Sequence, residues 1–261
     1  MLDSQEPRLI LDVYPFIIFM IILEYGRLEM IVRQITSIDD QDLARNVFDR
    51  IWKSNHSGQI TSNLLHAMIQ SGAYLSGAFM GSKIIGAAFA FPATNNGLHL
   101  HSHMTAVLPE FRDKGVGYAL KIDQWNWAKK RNYFHLSWTF DPLVRRNAKL
   151  NIAKLGVDIS SYHPNFYGDM PDALNAGDES DRLMVSWRTD VDVPRARELI
   201  TNPEPDDILI EIPEDIVAIR SKNQSESMKW RRQVREQFLA AFEKNGKVVG
   251  FSANNEYVVR I

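Results

Sequence analysis

The stretch LHLHSHMTAVLPEFRDKGVGYAL, residues 98–120, predicts three consecutive elements of structure. Apolar and polar residues alternate up to Val107, which is typical of a strand. A glycine-containing turn follows. Beyond it, Tyr118, Ile122 and Trp125 stand at i, i+4 and i+7, which is the spacing of one helix face. We therefore expect a strand, a turn and a helix in direct succession.

The turn RDKGVG, residues 112–117, joins the end of that strand to the start of that helix. Unpaired backbone N–H groups and the positive end of the helix dipole meet at such a point, so it favours an anion such as phosphate. The turn is not a P-loop, which requires GxxxxGK[ST], and a dinucleotide fingerprint would need glycine where Leu120 stands. A simple helix entry without a ligand remains the alternative.

The elements around this turn alternate between strands and helices. The pattern predicts a hairpin over residues 74–91, whose turn is Gly81-Ser82-Lys83. A further strand at residues 135–140 follows the central helix and completes a βαβ unit. The remaining predicted elements are a strand at 31–35, helices at 40–52, 63–71 and 145–155, and an α+β group of strands and one helix after residue 207. The expected fold class is α/β.

The composition of the 261 residues excludes several classes of function. A formal net charge of −2 is not typical of a nucleic-acid-binding protein, so no nucleic-acid partner is expected. The absence of cysteine excludes disulfides, thiolate catalysis and cysteine-ligated metal centres. The apolar run at residues 13–23 is too short to span a bilayer, and it lacks the basic start and cleavage site of a secretory signal. We expect a cytoplasmic protein without a membrane span.

The pattern Val107-x-Pro109-x-x-Arg112-x-x-Gly115-x-Gly117 resembles the acyl-CoA motif of the GNAT superfamily of acyltransferases. The resemblance implies a mixed, splayed β-sheet flanked by helices. It also implies that acetyl-CoA or another acyl-CoA, such as succinyl-CoA, is the co-substrate. It implies that the following residues bind this co-substrate: Val107, Arg112, Asp113, Lys114, Gly115, Val116, Gly117 and Tyr118.

The resemblance covers roughly residues 30–190, which we predict to be the catalytic domain. Residues 1–29 are interpreted as an apolar extension, with Met30 as an alternative start of the working chain. The proline-rich acidic segment TNPEPDD, residues 201–207, suggests a boundary, so residues 191–261 are predicted to form a small C-terminal α+β appendage.

The predicted helix at residues 145–155 departs from the family pattern. Many members carry a tyrosine there that protonates the departing CoA thiolate, and Ile152 stands at that position in RRNAKLNIAKLG. The nearest phenols in sequence are Tyr162 and Tyr167, of which Tyr167 is the predicted substitute. Each of them is equally consistent with a packed aromatic residue.

Three histidines, His99, His101 and His103, alternate along the central strand and therefore share one face. Same-face residues of a strand lie about 6.5 to 7 Å apart, so three of them converge poorly on one ion, and we expect no metal. Hydrogen-bonded histidines beside the sheet are the plain alternative. In the catalytic interpretation an imidazole removes a proton from the amine, and His103 is preferred over His101 because it stands nearer to Val107.

The predicted function is N-acyl transfer to a small-molecule amine by direct attack on the thioester. Candidate acceptor-binding residues are Trp138, Asp141, Tyr162 and Arg182. A carboxylate and a guanidinium together would suit an amino-acid-like acceptor. The alternatives are that Asp141 caps the next helix and that Arg182 forms a surface ion pair. The exposed edge of such a sheet leaves a homo-oligomer open.

A different class of function rests on the C-terminal helix, where Lys229, Arg231, Arg232 and Arg235 lie off the apolar stripe. A degenerate acyl-CoA fold with a basic helix for nucleic acid or a protein partner is the alternative. A solvated basic face interrupted by glutamates is the simpler interpretation.

Overall fold

A computed structural model describes residues 19–22, 29–53, 58–95, 97–170, 172 and 177–261. Contacts between Cα atoms divide the chain into two compact units, Met1–Tyr133 and Phe134–Ile261. Most of the predicted N-terminal extension lies outside the described residues. In the part of the chain that the structure describes, no helix is long and apolar enough to cross a membrane.

The described residues of the first unit form a sheet of five antiparallel strands and three α-helices. The strand order is β1-β2-β3-β4-β5. The strands are β1 (Phe19–Ile22), β2 (Glu29–Gln34), β3 (Tyr74–Met80), β4 (Lys83–Ala93) and β5 (His99–Val107). The helices are α1 (Ile38–Ile51), α2 (Ser62–Gln70) and α3 (Val116–Lys130). The predicted hairpin is confirmed, with Met80 opposite Lys83.

Helices pack against both faces of this sheet. Alternate side chains of a strand point to opposite faces, so each strand contributes to both packing layers. Phe48 of α1 packs in one core with Phe89 of β4 and Met104 of β5. Gly86 points to the other face, where an added Cβ would lie 3.1 Å from a methyl group of Val116 and 3.2 Å from one of Leu120. Glycine at this position lets α3 approach the sheet closely.

The pairing of β4 with β5 contains a bulge. Phe89 lies opposite Met104, whereas the next residue, Ala90, lies opposite Ser102. His103 is therefore the extra residue on β5, opposite no residue of β4.

The second unit contains two antiparallel sheets. In the first, β6 (His135–Phe140), β8 (Arg182–Arg188) and β7 (Asp158–His163) lie in the order β6-β8-β7. A short helix α4 (Arg145–Ala148) continues as a π-helical turn, Lys149–Lys154. The second sheet has the order β10-β11-β9. Its strands are β9 (Ile208–Glu211), β10 (Lys247–Phe251) and β11 (Glu256–Arg260). Two helices follow β9 in the chain, α5 (Ile216–Lys222) and α6 (Gln224–Glu243).

The C-terminal segment shares a core with the strands that precede it. Phe238 of α6 stacks on Tyr162 of β7 with ring centroids 5.4 Å apart, and it contacts Tyr257 of β11 at 5.0 Å. The buried hydroxyl of Tyr257 donates a hydrogen bond of 2.7 Å to the carbonyl of Pro142. The α/β class and the α+β character of the C-terminal segment are confirmed, while the domain boundary near residue 190 stays a prediction.

Candidate functional site

The predicted phosphate turn adopts a tight conformation between β5 and α3. A single 3₁₀ turn at Pro109–Phe111 follows the strand. Asp113 and Gly115 then have φ of 59° and 78°, in the left-handed region. Gly115 is the N-cap of α3, and glycine adopts this conformation without the steric cost of a Cβ.

The first N–H groups of α3 point out of its N-terminus. The first hydrogen bond that closes a helical turn runs from the N–H of Ala119 to the carbonyl of Gly115, at 2.9 Å. The amides of Val116, Gly117 and Tyr118 precede it, where a helix has no internal acceptors. Together with the helix dipole, these amides form an arrangement that suits an anion.

The charged side chains beside the turn are mostly exposed. Lys114 donates to the carbonyl of Glu110 at 3.1 Å, and its ammonium lies 5.6 Å from the ring of Phe111. The carboxylate of Glu110 lies 3.8 Å from Arg50 and 4.0 Å from Lys83. Three cations, Arg50, Lys83 and Lys114, therefore lie near Glu110, just before the turn.

The main chain of Val107 is turned away from β4. The N–H of Leu108 donates to the carbonyl of Ile85 at 2.9 Å, and residues of an antiparallel pair alternate between hydrogen-bonded and non-hydrogen-bonded types. The neighbouring pair of Gly86 and Val107 is thus of the second type. Its polar groups are directed away from the β4 ladder.

The three histidines of β5 have different environments. His99 is buried, with Nδ1 2.9 Å from the carbonyl oxygen of Gly97. The rings of His101 and His103 lie 6.2 Å apart, and both contact Phe91. Among the described residues, no three histidine or acidic side chains are grouped so that they could hold a metal ion.

The imidazoles of His101 and His103 are held in their neutral form. Burial, followed by the nearby His103, His99 and Lys121, lowers the pKa of His101 to about 4. His103 is the most exposed side chain of the strand, yet desolvation by the surrounding protein also lowers its pKa. A neutral imidazole can accept a proton, which is the state that a general base requires.

Lys121 is a charged residue of this region that sequence reasoning missed. It is 4% exposed in α3, and its ammonium donates a 2.6 Å hydrogen bond to Ser102 Oγ. Desolvation lowers the pKa of Lys121 to about 7. Its position between Leu120 and Ile122, on the apolar side of the helix, was the available signal.

In the second unit, Trp138 and Asp141 are core residues. Trp138 is buried, and its indole N–H donates to Asn151 at 3.2 Å. Asp141 accepts a hydrogen bond of 3.0 Å from the N–H of Leu143, in the turn before α4. The expectation that Asp141 caps the next helix was wrong, because α4 begins at Arg145 and its N-cap is Val144. Asp141 also lies in ion pairs with Arg220 and Arg231. Burial alone would raise the pKa of Asp141, but these arginines lower it well below its usual range.

The two candidate tyrosines differ sharply. Tyr162 is buried and donates to Asp181 at 2.5 Å, and burial together with this carboxylate raises its pKa far above the usual value. Tyr167 is 41% exposed, and its hydroxyl lies 3.0 Å from Thr139 Oγ1. The guanidinium of Arg182 lies 5.3 Å from the Tyr167 ring, so these two predicted residues are brought together.

The basic helix face expected on α6 does not form as one exposed surface. Arg231 is 1% exposed and forms ion pairs with Asp141 and Asp178. Arg235 forms ion pairs with Glu179 and Asp181. The sequence interpretation of Arg231 as a solvated or nucleic-acid-binding cation was wrong, because long-range carboxylates take up its charge.

Along the chain, the elements follow the order implied by the resemblance: a strand, two helices, a hairpin, the bulged β5, the glycine turn with α3, and then β6 and α4. The motif lies at the junction of β5 and α3, where the resemblance to the GNAT superfamily places it.

Several solved structures of acetyltransferases are similar to this chain. An acetyltransferase of the GNAT family from Streptococcus pneumoniae has a TM-score of 0.48 and 14% identity, covering 61% of this chain and 99% of its own. An N-acetyltransferase from Staphylococcus aureus has a TM-score of 0.46 and 18% identity, with coverages of 61% and 97%.

An IAA acetyltransferase from Bacillus cereus has a TM-score of 0.45 and 13% identity, with coverages of 61% and 99%. No protein-family pattern and no curated protein matches the sequence. The activities in these names are those of the other proteins.

Proposed function

We propose that this protein is an N-acyltransferase that uses an acyl-CoA as donor and a small-molecule amine as acceptor. The observation that carries the proposal is the turn between β5 and α3, where Gly115 is left-handed and the first amides of α3 point outward. Such a turn suits the pyrophosphate of CoA, and its cations add to the attraction. The donor and acceptor of a cytoplasmic enzyme would both be cellular metabolites.

In the proposed reaction, the neutral amine nitrogen attacks the thioester carbonyl, and a C–N bond forms as the C–S bond breaks. One proton leaves the nitrogen, and the CoA sulfur departs as a thiolate that is protonated to the thiol. The oxyanion that forms during attack needs a hydrogen-bond donor. The N–H of Val107 is the candidate, because it is directed away from β4.

His103 is the candidate base, and His101 is the second choice. The bulge places His103 on β5 without an opposite residue on β4, and its imidazole is exposed. Its lowered pKa keeps it neutral at physiological pH, so it can accept the proton of the amine.

Tyr167 is the candidate acid for the thiolate. It is exposed, whereas the hydroxyl of Tyr162 is already committed to Asp181. Arg182 beside Tyr167 is the candidate for recognising an acidic group on the acceptor, which favours an amino-acid-like amine.

The test of this function has two parts. Isothermal titration with CoA, acetyl-CoA and succinyl-CoA measures donor binding, and thiol release in the presence of a panel of amines and amino acids measures transfer. Micromolar binding with amine-dependent thiol release supports the proposal. The absence of binding to all three CoA compounds contradicts it.

A further inference from the structure

An open cavity of about 340 Å³ lies between the first turns of α1 and α2 in the first unit, and we call it the α1–α2 cavity. Its volume is in the range of small-molecule sites. None of the residues assigned above to acyl transfer lines it. The lining residues that carry the argument are Ile38, Gln41, Asp42, Ser62, His66 and Ala67.

Two side-chain contacts connect the helices beside the cavity. Gln41 Oε1 lies 3.2 Å from His66 Nδ1, and Ser62 Oγ donates to Asp42 Oδ1 at 3.2 Å. Ser62 and His66 stand at i and i+4 on α2, so their Cβ atoms lie about 5 to 6 Å apart on one side of the helix. The carboxylate of Asp42 and the imidazole of His66 therefore meet the same cavity about one helical turn apart.

The hydrogen bonds of Gln41 fix the tautomer of His66. Gln41 Nε2 donates to the carbonyl of Thr36 at 3.0 Å, so the amide oxygen is the atom that faces His66. An amide oxygen only accepts hydrogen bonds, and His66 Nδ1 therefore carries the hydrogen. In the neutral imidazole, Nε2 is then an acceptor, and no described residue donates to it.

Asp42 supplies a second acceptor. Its Oδ1 accepts from Arg45 at 2.9 Å and from Ser62, whereas its Oδ2 accepts no hydrogen bond from the described residues. Ser37 and Thr61 cap the starts of the two helices with their own side chains. An anion is disfavoured beside the carboxylate, and a ligand that donates hydrogen bonds is favoured.

The cavity also presents apolar side chains. Ile38 lines it from α1 and is 61% exposed, and Ala67 lines it from α2. A ligand that covers these side chains removes their apolar surface from water, which is favourable. The best-fitting ligand therefore combines an apolar body with a group that only donates.

We propose that the α1–α2 cavity binds a primary ammonium that carries an apolar body. The ammonium has three donors and no acceptor, and it donates to Asp42 Oδ2 and His66 Nε2. The apolar body lies against Ile38 and Ala67. This site goes beyond the proposed acyl transfer and does not require a bound acyl-CoA.

Three probes of similar size test the chemistry of the site: 2-phenylethylamine, 2-phenylethanol and 3-phenylpropionate. Isothermal titration at pH 7 and low salt, without any CoA compound, measures their dissociation constants. We expect the amine to bind about tenfold more tightly than the alcohol, because a hydrogen bond between charged groups is stronger than a neutral one, and the carboxylate to bind most weakly. Equal binding of the amine and the alcohol, or no binding of the amine, overturns the proposal.

A filling variant tests whether the amine binds in the cavity. Ala67→Leu adds volume at an exposed position of α2, and we expect about a tenfold loss of affinity for 2-phenylethylamine because the added side chain clashes with the ligand. Gln70→Leu is the matched control, since Gln70 is exposed on the same helix and does not line the cavity. Unchanged affinity in Ala67→Leu would place the binding elsewhere and overturn the proposal.

A second variant tests the charge. Asp42→Asn keeps the shape of the side chain, and it should remove the preference for the amine over the alcohol. Asp39→Asn, at an exposed position of the same helix outside the cavity, should retain the preference. A preference that persists in Asp42→Asn would exclude Asp42 as the partner of the ammonium and overturn the proposed site.

Discussion

Arg231 and Asp141, 90 residues apart in sequence, form a buried two-point ion pair with N–O distances of 2.7 and 3.0 Å. Arg220 and Asp178 extend the pair into a four-residue network. A charge removed from water is tolerated only when it is paired and hydrogen-bonded. The network therefore depends on each of its members.

Replacing Arg231 by methionine leaves two buried carboxylates short of a cation. Removing one partner of a buried ion pair typically costs about 3 to 5 kcal/mol, so we expect a loss of that size in the free energy of unfolding, measured with urea. The control is Arg232→Met on the exposed side of the same helix, which should change stability by less than about 0.5 kcal/mol. Equal losses in the two variants would mean that the network contributes nothing specific.

Burial of Lys121 predicts that stability rises with pH. Its pKa is about 7 in the folded protein and 10.5 in its unperturbed state. Between these values the unfolded chain binds more protons than the folded chain. The free energy of unfolding then increases with pH, by at most about 1.4 kcal/mol per pH unit.

Urea unfolding at pH 7, 8 and 9 measures this slope, and Lys121→Met should flatten it. Lys130→Met, at an exposed position of the same helix, should retain the slope of the unaltered protein. A slope that persists in Lys121→Met would assign the effect to another group.

Gly115→Ala should weaken CoA binding at least tenfold. Alanine at φ of 78° is strained by about 1 to 2 kcal/mol, so the turn and its amides shift. Gly72→Ala is a matched control in the same unit, because Gly72 also has positive φ and an added Cβ would meet nothing within 4 Å. Both variants should lose similar stability in thermal unfolding, but only Gly115→Ala should lose affinity in titration. Parallel losses of affinity would argue against the phosphate turn.

His103→Gln should lower kcat by about 10²- to 10⁴-fold, the contribution of a general base. Because burial lowers the pKa of His103 below its usual 6.5 and that of His101 to about 4, both imidazoles are mainly neutral at pH 7. We expect the acidic inflection of kcat/KM to lie below pH 6.5. His135→Gln on β6 serves as the control. An inflection at or above pH 6.5 would exclude a depressed imidazole as the base.

Tyr167→Phe should lower kcat while leaving the unfolding midpoint unchanged, because the Tyr167 side chain is exposed and its hydroxyl forms a surface hydrogen bond with Thr139. Tyr133→Phe, a partly buried tyrosine of the first unit, is the control for a generic effect of losing a phenol. A KM increase without a kcat decrease would make Tyr167 a binding residue instead of an acid.

The order of elements could be predicted because the signals are local. The left-handed Gly115, the helix stripe after it and the hairpin at Gly81 each follow from residues within one or two turns of chain. Patterns of this kind reflect steric limits on φ and the periodicity of side chains. The motif at the junction of β5 and α3 lies within the same range, so the candidate phosphate turn was visible as well.

The burial of individual charges could not be predicted in this way. Arginine and lysine side chains usually lie at the surface. Arg231 is instead paired with a carboxylate far away in sequence, and the ammonium of Lys121 is hydrogen-bonded to Ser102 of β5. The bulge at His103 depends on the register of β4 against β5, which the sequence of either strand alone does not specify.

The sequence by itself thus determined the strand, turn and helix that form the candidate CoA site, since short-range sterics and periodicity suffice for them. Only the tertiary structure decided which polar groups are desolvated, because desolvation depends on every chain segment packed around a group. For this reason Asp141, a candidate acceptor residue, lies in an ion-pair network, and Lys121 is buried with its ammonium hydrogen-bonded to Ser102.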